Sequence, residues 1–197
     1  MNKKRTIIAA IVLLLVLLVG GAIAYFTDET DPVTNTFTLG KVSITLTEPN
    51  WVTTDSDNNG VPDVAEKLVP GDSLLKNPTV TVDADSNDAY VFVKVEVPCV
   101  GSKEVFTYDV TDTKWTVIQN GACSSETGAA VKVYGYSDAL EAEKHVTLFE
   151  SVTLVNLSNE EAQQLAGNID MPVKAFAIQA DNVEGATAAV WNANFSD

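Results

Sequence analysis

The chain has 197 residues and carries 12 Lys and Arg against 27 Asp and Glu, a formal net charge of −15. Three of these cations lie in the first 24 residues; without that stretch nine cations remain against 27 anions, a net charge of −18, and no arginine. Such an acidic surface is repelled by phosphate backbones and lacks the bidentate arginine contacts of nucleic-acid readers, so nucleic-acid binding is excluded. With 46% apolar residues, the chain can bury a core of ordinary domain size.

The first 24 residues have the layout of a secretory signal segment. Residues 1–5 are basic, and residues 7–19 form an unbroken apolar run of 13 residues. A secretory apolar region spans about 7–15 residues, whereas a membrane-spanning helix needs about 20. Small residues precede the expected cleavage between Ala24 and Tyr25. We therefore expect export to the cell surface or extracellular matrix, with membrane contact only through residues 1–24. An uncleaved anchor is the alternative.

Two cysteines, Cys99 and Cys123, fit an exported protein with one disulfide bond. Closing a loop of about 25 residues would contribute roughly 3 kcal/mol to stability. The alternative is a pair of free, buried thiols.

The body of the chain has the sequence pattern of short β-strands. Residues 41–48 alternate strictly, with Val42, Ile44 and Leu46 on one face and hydroxyl side chains on the other, which is typical of a half-buried strand. Similar segments are 79–83, 90–97, 105–110, 115–119, 131–136, 147–155 and 173–180. Turn residues separate them, for example at Asn120-Gly121. Eight short strands predict an all-β fold, an antiparallel jelly-roll-like sandwich within residues 41–197.

One short helix is predicted after the seventh strand. Ser158 and Glu161 form a capping box, in which Ser158 is the N-cap residue, and Gly167 can end the helix. Residues 138–145 are a weaker candidate for a helical turn. No long linker divides the chain, so we expect a single domain.

A calcium-binding pattern occupies residues 55–66. The sequence DSDNNGVPDVAE matches the twelve-position loop D-x-[DN]-x-[DN]-G-x5-E at every specified position. Calcium prefers six to eight oxygen ligands, and Gly60 permits the sharp turn that points a carbonyl inward. The predicted ligands are Asp55, Asp57, Asn59, Val61 through its carbonyl, Asp63 and Glu66. No helix is predicted before the loop, and DSDNNGVPD resembles the calcium loops of thrombospondin type 3 repeats. The alternative is a polar loop that only turns the chain.

No catalytic motif is found. The sequence has no HExxH pattern, and its one histidine, His145, cannot build a zinc site from imidazoles alone. We interpret His145 as a surface residue. GxSxG, P-loop and GxGxxG patterns are also missing from the sequence, so no catalytic residue is predicted.

Segments spread over most of the chain resemble the TasA/camelysin family of exported proteins. They are 24–28 (AYFTD), 35–42 (NTFTLGKV), 68–72 (LVPGD), 76–78 (KNP), 87–95 (NDAYVFVKV), 148–154 (LFESVTL) and 175–181 (AFAIQAD). The AYFTD start and the AFAIQAD segment are the most specific of these. The calcium-like loop departs from the simplest members of that family.

The resemblance implies a jelly-roll subunit of extracellular fibres in a biofilm matrix, whose signal segment is removed by a signal peptidase of the SipW type. In fibre-forming members the freed N-terminal arm pairs as a donor strand with the next subunit, and an accessory fibre protein is a further expected partner. Here the arm is residues 25–40. The residues expected to carry polymerisation are Tyr25, Phe26, Val33, Phe37 and Leu39.

Three alternatives remain open at this stage. Residues 34–39 could pair within their own sheet rather than with a neighbour. A camelysin-like metalloendopeptidase is implied by the label of some relatives, although no zinc motif supports it. A monomeric surface adhesin stabilised by calcium is the third.

Overall fold

The computed structural model describes residues 40–165 and 169–196. The predicted signal segment, the Ala24–Tyr25 cleavage site, residues 25–39 of the arm and the predicted helix end at Gly167 lie outside the described residues. Within the part of the chain that the structure describes, no helix is long and apolar enough to span a membrane.

Eleven strands and three short helical segments make up the described fold. The strands are β1 (Ile44–Thr47), β2 (Ser73–Leu75), β3 (Thr79–Val82), β4 (Ala89–Val100), β5 (Lys103–Glu104), β6 (Phe106–Thr107), β7 (Trp115–Asn120), β8 (Ala129–Tyr136), β9 (His145–Thr147), β10 (Ser151–Leu154) and β11 (Val173–Gln179). The helical segments are a 3₁₀ turn (Asp63–Ala65), α1 (Asn159–Gln164) and α2 (Ala188–Asn194). All ladders are antiparallel, and the predicted all-β sandwich is confirmed.

One layer of the sandwich is a four-stranded path in the order β11-β4-β8-β7, with β5 folded back onto the end of β4. The long strand β4 is its centre and pairs Val93 with Ala175 on one side and with Tyr134 on the other. Alternate residues of β4, from Val91 to Val97, are fully buried in the main core. This alternation is the reason why the segment forms a central strand.

The other layer consists of two three-stranded sheets, β1-β3-β9 and β2-β10-β6. The two sheets are consecutive along two stretches of the chain. On one stretch β2 is followed by β3, and on the other β9 is followed by β10. Two hydrogen bonds bridge the interruption: Lys76 N donates to Glu150 O (3.2 Å) and Leu148 N donates to Pro78 O (3.0 Å). In this layer β1 lies beside β3 only, so β2 is paired on one side, by β10, among the described residues.

A second apolar cluster covers the outer face of β4 and β11. Phe92 and Phe176 point away from the main core and pack against Trp191 of α2, with ring centroids 5.6 and 5.0 Å from the indole. Helix α2 was not predicted. Its N-cap, Thr187, accepts a hydrogen bond from Val190 N, which places the start of the helix.

Several predicted boundaries are wrong. Segment 147–155 is two strands, because Leu148 and Phe149 are adjacent and both buried, and one flat strand cannot bury two neighbours on one face. Segment 105–110 contributes only Phe106–Thr107, and Val110 follows in irregular chain. Residues 138–145 form no helix, since Leu140 bridges to Ala89 and His145 begins β9.

The predicted turn at Asn120-Gly121 is also wrong. Gly121 N donates to Val131 O, so the pairing of β7 with β8 continues through this position. A Cβ atom on Gly121 would lie 2.8 Å from Val131 O, so glycine is needed for close approach of the two chains. The chain turns later, where Gly128 N donates to Ser124 O.

Candidate functional site

The calcium-like loop lies in the long connection between β1 and β2. Its Asp55 carboxylate accepts hydrogen bonds from Gly60 N (2.9 Å) and Asn59 N (3.2 Å), which close the loop around its first position. Gly60 has φ +87°, a left-handed conformation that favours glycine. The sharp turn predicted from the motif is therefore formed.

The side-chain amide of Asn59 lies between two predicted ligands. Its Nδ2 donates to Asp57 Oδ2 (3.1 Å) and Glu66 Oε1 (2.6 Å). Its Oδ1 accepts from Val61 N (2.8 Å). The structure thus brings Asp57 and Glu66, nine positions apart in the sequence, to one amide group. The partly positive NH₂ group of Asn59 lies where a cation would be attracted by both carboxylates.

Asp63, the ninth position of the motif, binds elsewhere in the loop. Its carboxylate accepts from Ser56 Oγ (2.6 Å) and from Ser56 N (2.8 Å). These two hydrogen bonds, the side-chain bond first, hold the pKa of Asp63 below its ordinary value of 3.8, because they favour the charged form. In the part of the chain that the structure covers, no three His, Cys, Asp or Glu side chains form a closed metal-ligand group.

The donor set nevertheless fits calcium in its chemistry. Three carboxylates and one amide oxygen are hard oxygen ligands, and the loop already directs Asp55, Asp57 and Glu66 toward Asn59 and Gly60. Rotation of the Asn59 amide by half a turn would replace Nδ2 by Oδ1 between the two carboxylates.

An apolar groove of about 640 Å³ lies beside the same connection. One wall is formed by residues of this connection, including Val61 and Leu68, and another by α1 and residues 169–172. Its floor includes Leu74 of β2 and Leu154 of β10, which belong to the edge of the main core.

Two charged residues of the groove, Lys76 and Glu48, form an ion pair with each other. Lys76 Nζ donates to Glu48 Oε1 (2.6 Å) and lies 5.6 Å from the ring centroid of Trp51. Both charged side chains are largely buried, 14% and 23% exposed. The other charged lining residues are Lys67, whose Nζ lies 3.8 Å from Glu66 Oε2, and Asp170. A ligand entering the groove therefore meets apolar side chains, the neutralised Glu48–Lys76 pair and these two charged side chains.

The large exposed hydrophobic side chains of the described residues concentrate near this groove. Ile169 lines it and is 37% exposed. Four more are direct sequence neighbours of lining residues: Val52, Val64, Val69 and Leu75. Only Val117, on β7, belongs to another part of the described chain. Exposed apolar side chains that cluster in this way are typical of interaction surfaces.

The groove was not predicted from the sequence. Its residues come from five separate segments of the chain, and none of those segments carries a motif for it. A signal in the sequence is the apolar content of the irregular connection 48–72, where Trp51 and Leu68 serve neither a strand nor the calcium pattern.

Other predicted residues are placed as follows. Cys99 of β4 and Cys123 form the predicted disulfide, which ties β4 to the connection between β7 and β8. His145 is exposed at the start of β9. The predicted polymerisation residues, Tyr25, Phe26, Val33, Phe37 and Leu39, lie outside the described residues.

No family model, no curated protein and no solved structure matches this chain. The functional interpretation therefore depends on the residues and on the geometry described above.

Proposed function

We propose that this protein is an exported structural subunit of extracellular, biofilm-type fibres, assembled when its N-terminal arm pairs with a neighbouring subunit. The observation that supports the proposal is a sandwich whose layers end, among the described residues, in strands paired on one side, preceded in sequence by a segment with strand alternation. Removal of residues 1–24 by a signal peptidase of the SipW type would free the arm. The proposal assigns the chain no catalytic residue.

The arm has the chemistry of a donor strand. In residues 33–39 (VTNTFTL), Val33, Phe37 and Leu39 share one face and three threonines share the other. An extended segment gains affinity from main-chain hydrogen bonds to a sheet edge and specificity from its alternate side chains. Pro32 cannot donate a main-chain hydrogen bond, so the pairing segment begins after it.

The test is a comparison of the processed chain, residues 25–197, with a chain that lacks residues 25–39. We expect filaments by negative-stain microscopy for the processed chain and single particles for the deleted one, with the same far-UV circular dichroism per folded residue. Filaments from the deleted chain would refute the role of the arm. Single particles of the processed chain at all concentrations would instead support the monomeric adhesin.

The loop at residues 55–66 is proposed to bind one calcium ion in a structural role. The convergence of Asp57 and Glu66 on Asn59 supports this, because a cation there would replace the amide NH₂ group between the carboxylates. Extracellular sites of this type bind with dissociation constants on the order of 0.1–1 mM. The bound ion would supply charge neutralisation and would fix the connection between β1 and β2.

Titration calorimetry tests the calcium site. Calcium should release or absorb heat with the processed wild-type chain, and Asp55→Asn with Glu66→Gln should abolish the signal. Asp85→Asn, which removes an exposed carboxylate paired with Lys41, is the matched control and should leave binding unchanged. A folded wild-type sample without heat at millimolar calcium would exclude the site.

A further inference from the structure

The sequence contains two Asn-Gly pairs, Asn59-Gly60 and Asn120-Gly121. In such a pair the main-chain nitrogen of the glycine can attack the side-chain amide carbon of the asparagine, which releases ammonia. Glycine hinders this attack least, because it has no Cβ atom and its main chain rotates most freely. In a folded chain the attack depends on how the structure holds the glycine nitrogen. The two pairs differ in this respect.

The pair at residues 120–121 is fixed in a strand ladder. Asn120 is the last residue of β7 and lies opposite Lys132 of β8. Gly121 N donates to Val131 O (2.9 Å), so the nitrogen that would attack is bound to the neighbouring strand. The five-membered ring that the attack forms requires rotation about the Cα–C bond of Asn120, and this rotation would break the ladder. The folded protein therefore protects Asn120.

The pair at residues 59–60 lies in the calcium-like loop, outside the strands of the described chain. Gly60 has φ +87°, and a Cβ atom on it would meet no described atom within 4 Å beyond its chain neighbours, so there is space for ring closure. Its N–H donates to a side chain, the Asp55 carboxylate (2.9 Å), rather than to a strand. Because Asn59 and Gly60 are both exposed, water and hydroxide reach the reacting atoms.

The amide of Asn59 is held in an orientation that favours the attack. Its Oδ1 accepts a hydrogen bond from Val61 N (2.8 Å), which folds the side chain back along the main chain that contains Gly60 N. Negative charge develops on an amide oxygen when its carbon is attacked, and an N–H group already directed at that oxygen stabilises the charge. The Nδ2 group donates to Asp57 and Glu66, and these bonds keep the amide in the same orientation.

From this contrast we propose that Asn59 is a deamidation site of the folded protein and that Asn120 is not. Gly60 N gives its proton to solvent hydroxide and forms a bond to Asn59 Cγ. The bond from Cγ to Nδ2 breaks, and Nδ2 takes a proton from water and leaves as ammonia. Water then opens the cyclic imide, which gives aspartate or isoaspartate at position 59. The net reaction consumes water and releases ammonia, and it needs no oxidant, reductant or enzyme.

The aspartate product changes the charge of the loop. The NH₂ group of Asn59 now lies between Asp57 and Glu66, and a carboxylate there would replace two attractive contacts by repulsion between like charges. A calcium ion relieves this repulsion and gains a charged ligand, so the aspartate form binds calcium more tightly than the encoded form. This consequence rests on the proposed calcium site, whereas the deamidation itself does not.

Peptide mass spectrometry of the processed chain, incubated in mildly alkaline buffer, tests the deamidation site. Conversion of an amide to an acid raises the mass of its peptide, so each asparagine is followed separately. We expect Asn59 to convert at least roughly fivefold faster than Asn120, a factor that corresponds to one net main-chain hydrogen bond. The matched control is the same chain in urea, where the two pairs should convert at similar rates. Equal rates in the folded chain, or an Asn59 that converts in urea but not in the folded chain, would overturn the proposal.

Calorimetry with two variants tests the consequence for calcium. Asn59→Asp reproduces the aspartate product, and its calcium dissociation constant should be about tenfold lower than that of the wild-type chain, because a charged ligand replaces a neutral one. The matched control is Asn58→Asp, which adds the same charge at a position that is not a predicted ligand. Asn58 has φ +58°, a conformation that aspartate also adopts.

The outcomes separate the two proposals. An Asn59→Asp affinity no higher than that of Asn58→Asp would contradict the effect on calcium binding. If Asn59 deamidates in a folded chain that binds no calcium, the calcium site is wrong and the deamidation site stands. If the wild-type chain binds calcium and Asn59 stays intact while Asn120 converts, the deamidation site is wrong and the calcium site stands.

Discussion

Glu161 joins three parts of the fold through one carboxylate. It accepts hydrogen bonds from Ser158 N (2.7 Å), which completes the predicted capping box, and from Lys103 Nζ of β5 (3.2 Å). Lys103 also donates to the carbonyl of Asn156, so β5 is tied to the chain that enters α1. These bonds, the backbone bond first, hold the pKa of Glu161 below its ordinary value of 4.5.

A lowered pKa gives the stability a defined pH dependence. The carboxylate contributes fully above its unfolded pKa of about 4.5 and loses its contribution as the pH falls through the lower folded value. Glu161→Gln should therefore lower Tm at neutral pH, and the difference from the wild type should shrink in acid. Glu160→Gln, in the same turn of α1, is the matched control. Thermal unfolding at several pH values measures both, and a difference that grows in acid would contradict this assignment.

The calcium-like loop shows what spacing can predict at the scale of residues. The motif predicts that Asp57 and Glu66 approach one centre, and both contact the amide of Asn59. It does not predict that Asp63 binds Ser56, because this bond depends on the 3₁₀ turn that begins at Asp63. Nor does it fix the rotation of the Asn59 amide, since the NH₂ and carbonyl ends have similar shapes.

At the scale of elements, alternation predicts strands well where one face is buried. β4 and β11 follow the predicted segments closely, because their alternate residues face one continuous core. Prediction fails where tertiary contacts override the pattern. Leu148 and Phe149 are both buried and split one predicted strand into two. Helix α2 is short and gains its stability from Trp191 against Phe92, a contact between distant segments.

The disulfide is an element-scale constraint on the end of β4. Replacing both cysteines, Cys99→Ala with Cys123→Ala, should lower the free energy of unfolding by about 3 kcal/mol, because a loop of about 25 residues is no longer closed in the unfolded chain. Urea unfolding measures the change. The wild-type chain unfolded in the presence of a reductant is the matched control and should show a similar loss. An unchanged midpoint would mean that the bond does not constrain the unfolded chain.

At the scale of the molecule, the groove is the feature that sequence patterns could not supply. Strand periodicity describes which face of a segment is buried. The groove exists because β1 pairs with β3 and ends at Thr47, so that no described strand lies beside β2, which precedes β3 in the chain, on the side away from β10. The long connection that follows β1 then lines the space instead of filling it with a strand. Such a gap depends on the relative lengths of strands that are distant in sequence.

Charge acts on the assembly of whole subunits. Residues 25–197 carry nine cations and 27 anions, so like-charged subunits must approach one another to polymerise. Raising the ionic strength from 0.01 to 0.15 M shortens the screening length from about 30 Å to about 8 Å. The pairing segment of the arm, residues 33–39, contains no ionisable side chain, so salt screens the repulsion without weakening an attraction. Filament growth should therefore accelerate with salt.

Light scattering of the processed chain, in a chelating buffer that removes calcium, measures this effect. Sodium and potassium chloride at equal ionic strength should accelerate growth equally, because screening depends on ionic strength rather than on the identity of a monovalent ion. The chain that lacks residues 25–39 should show no growth at any salt concentration, since it has no arm to pair with a neighbouring subunit. Slower growth at higher salt would contradict pairing through the uncharged segment 33–39 and would indicate that opposite charges hold the subunits together.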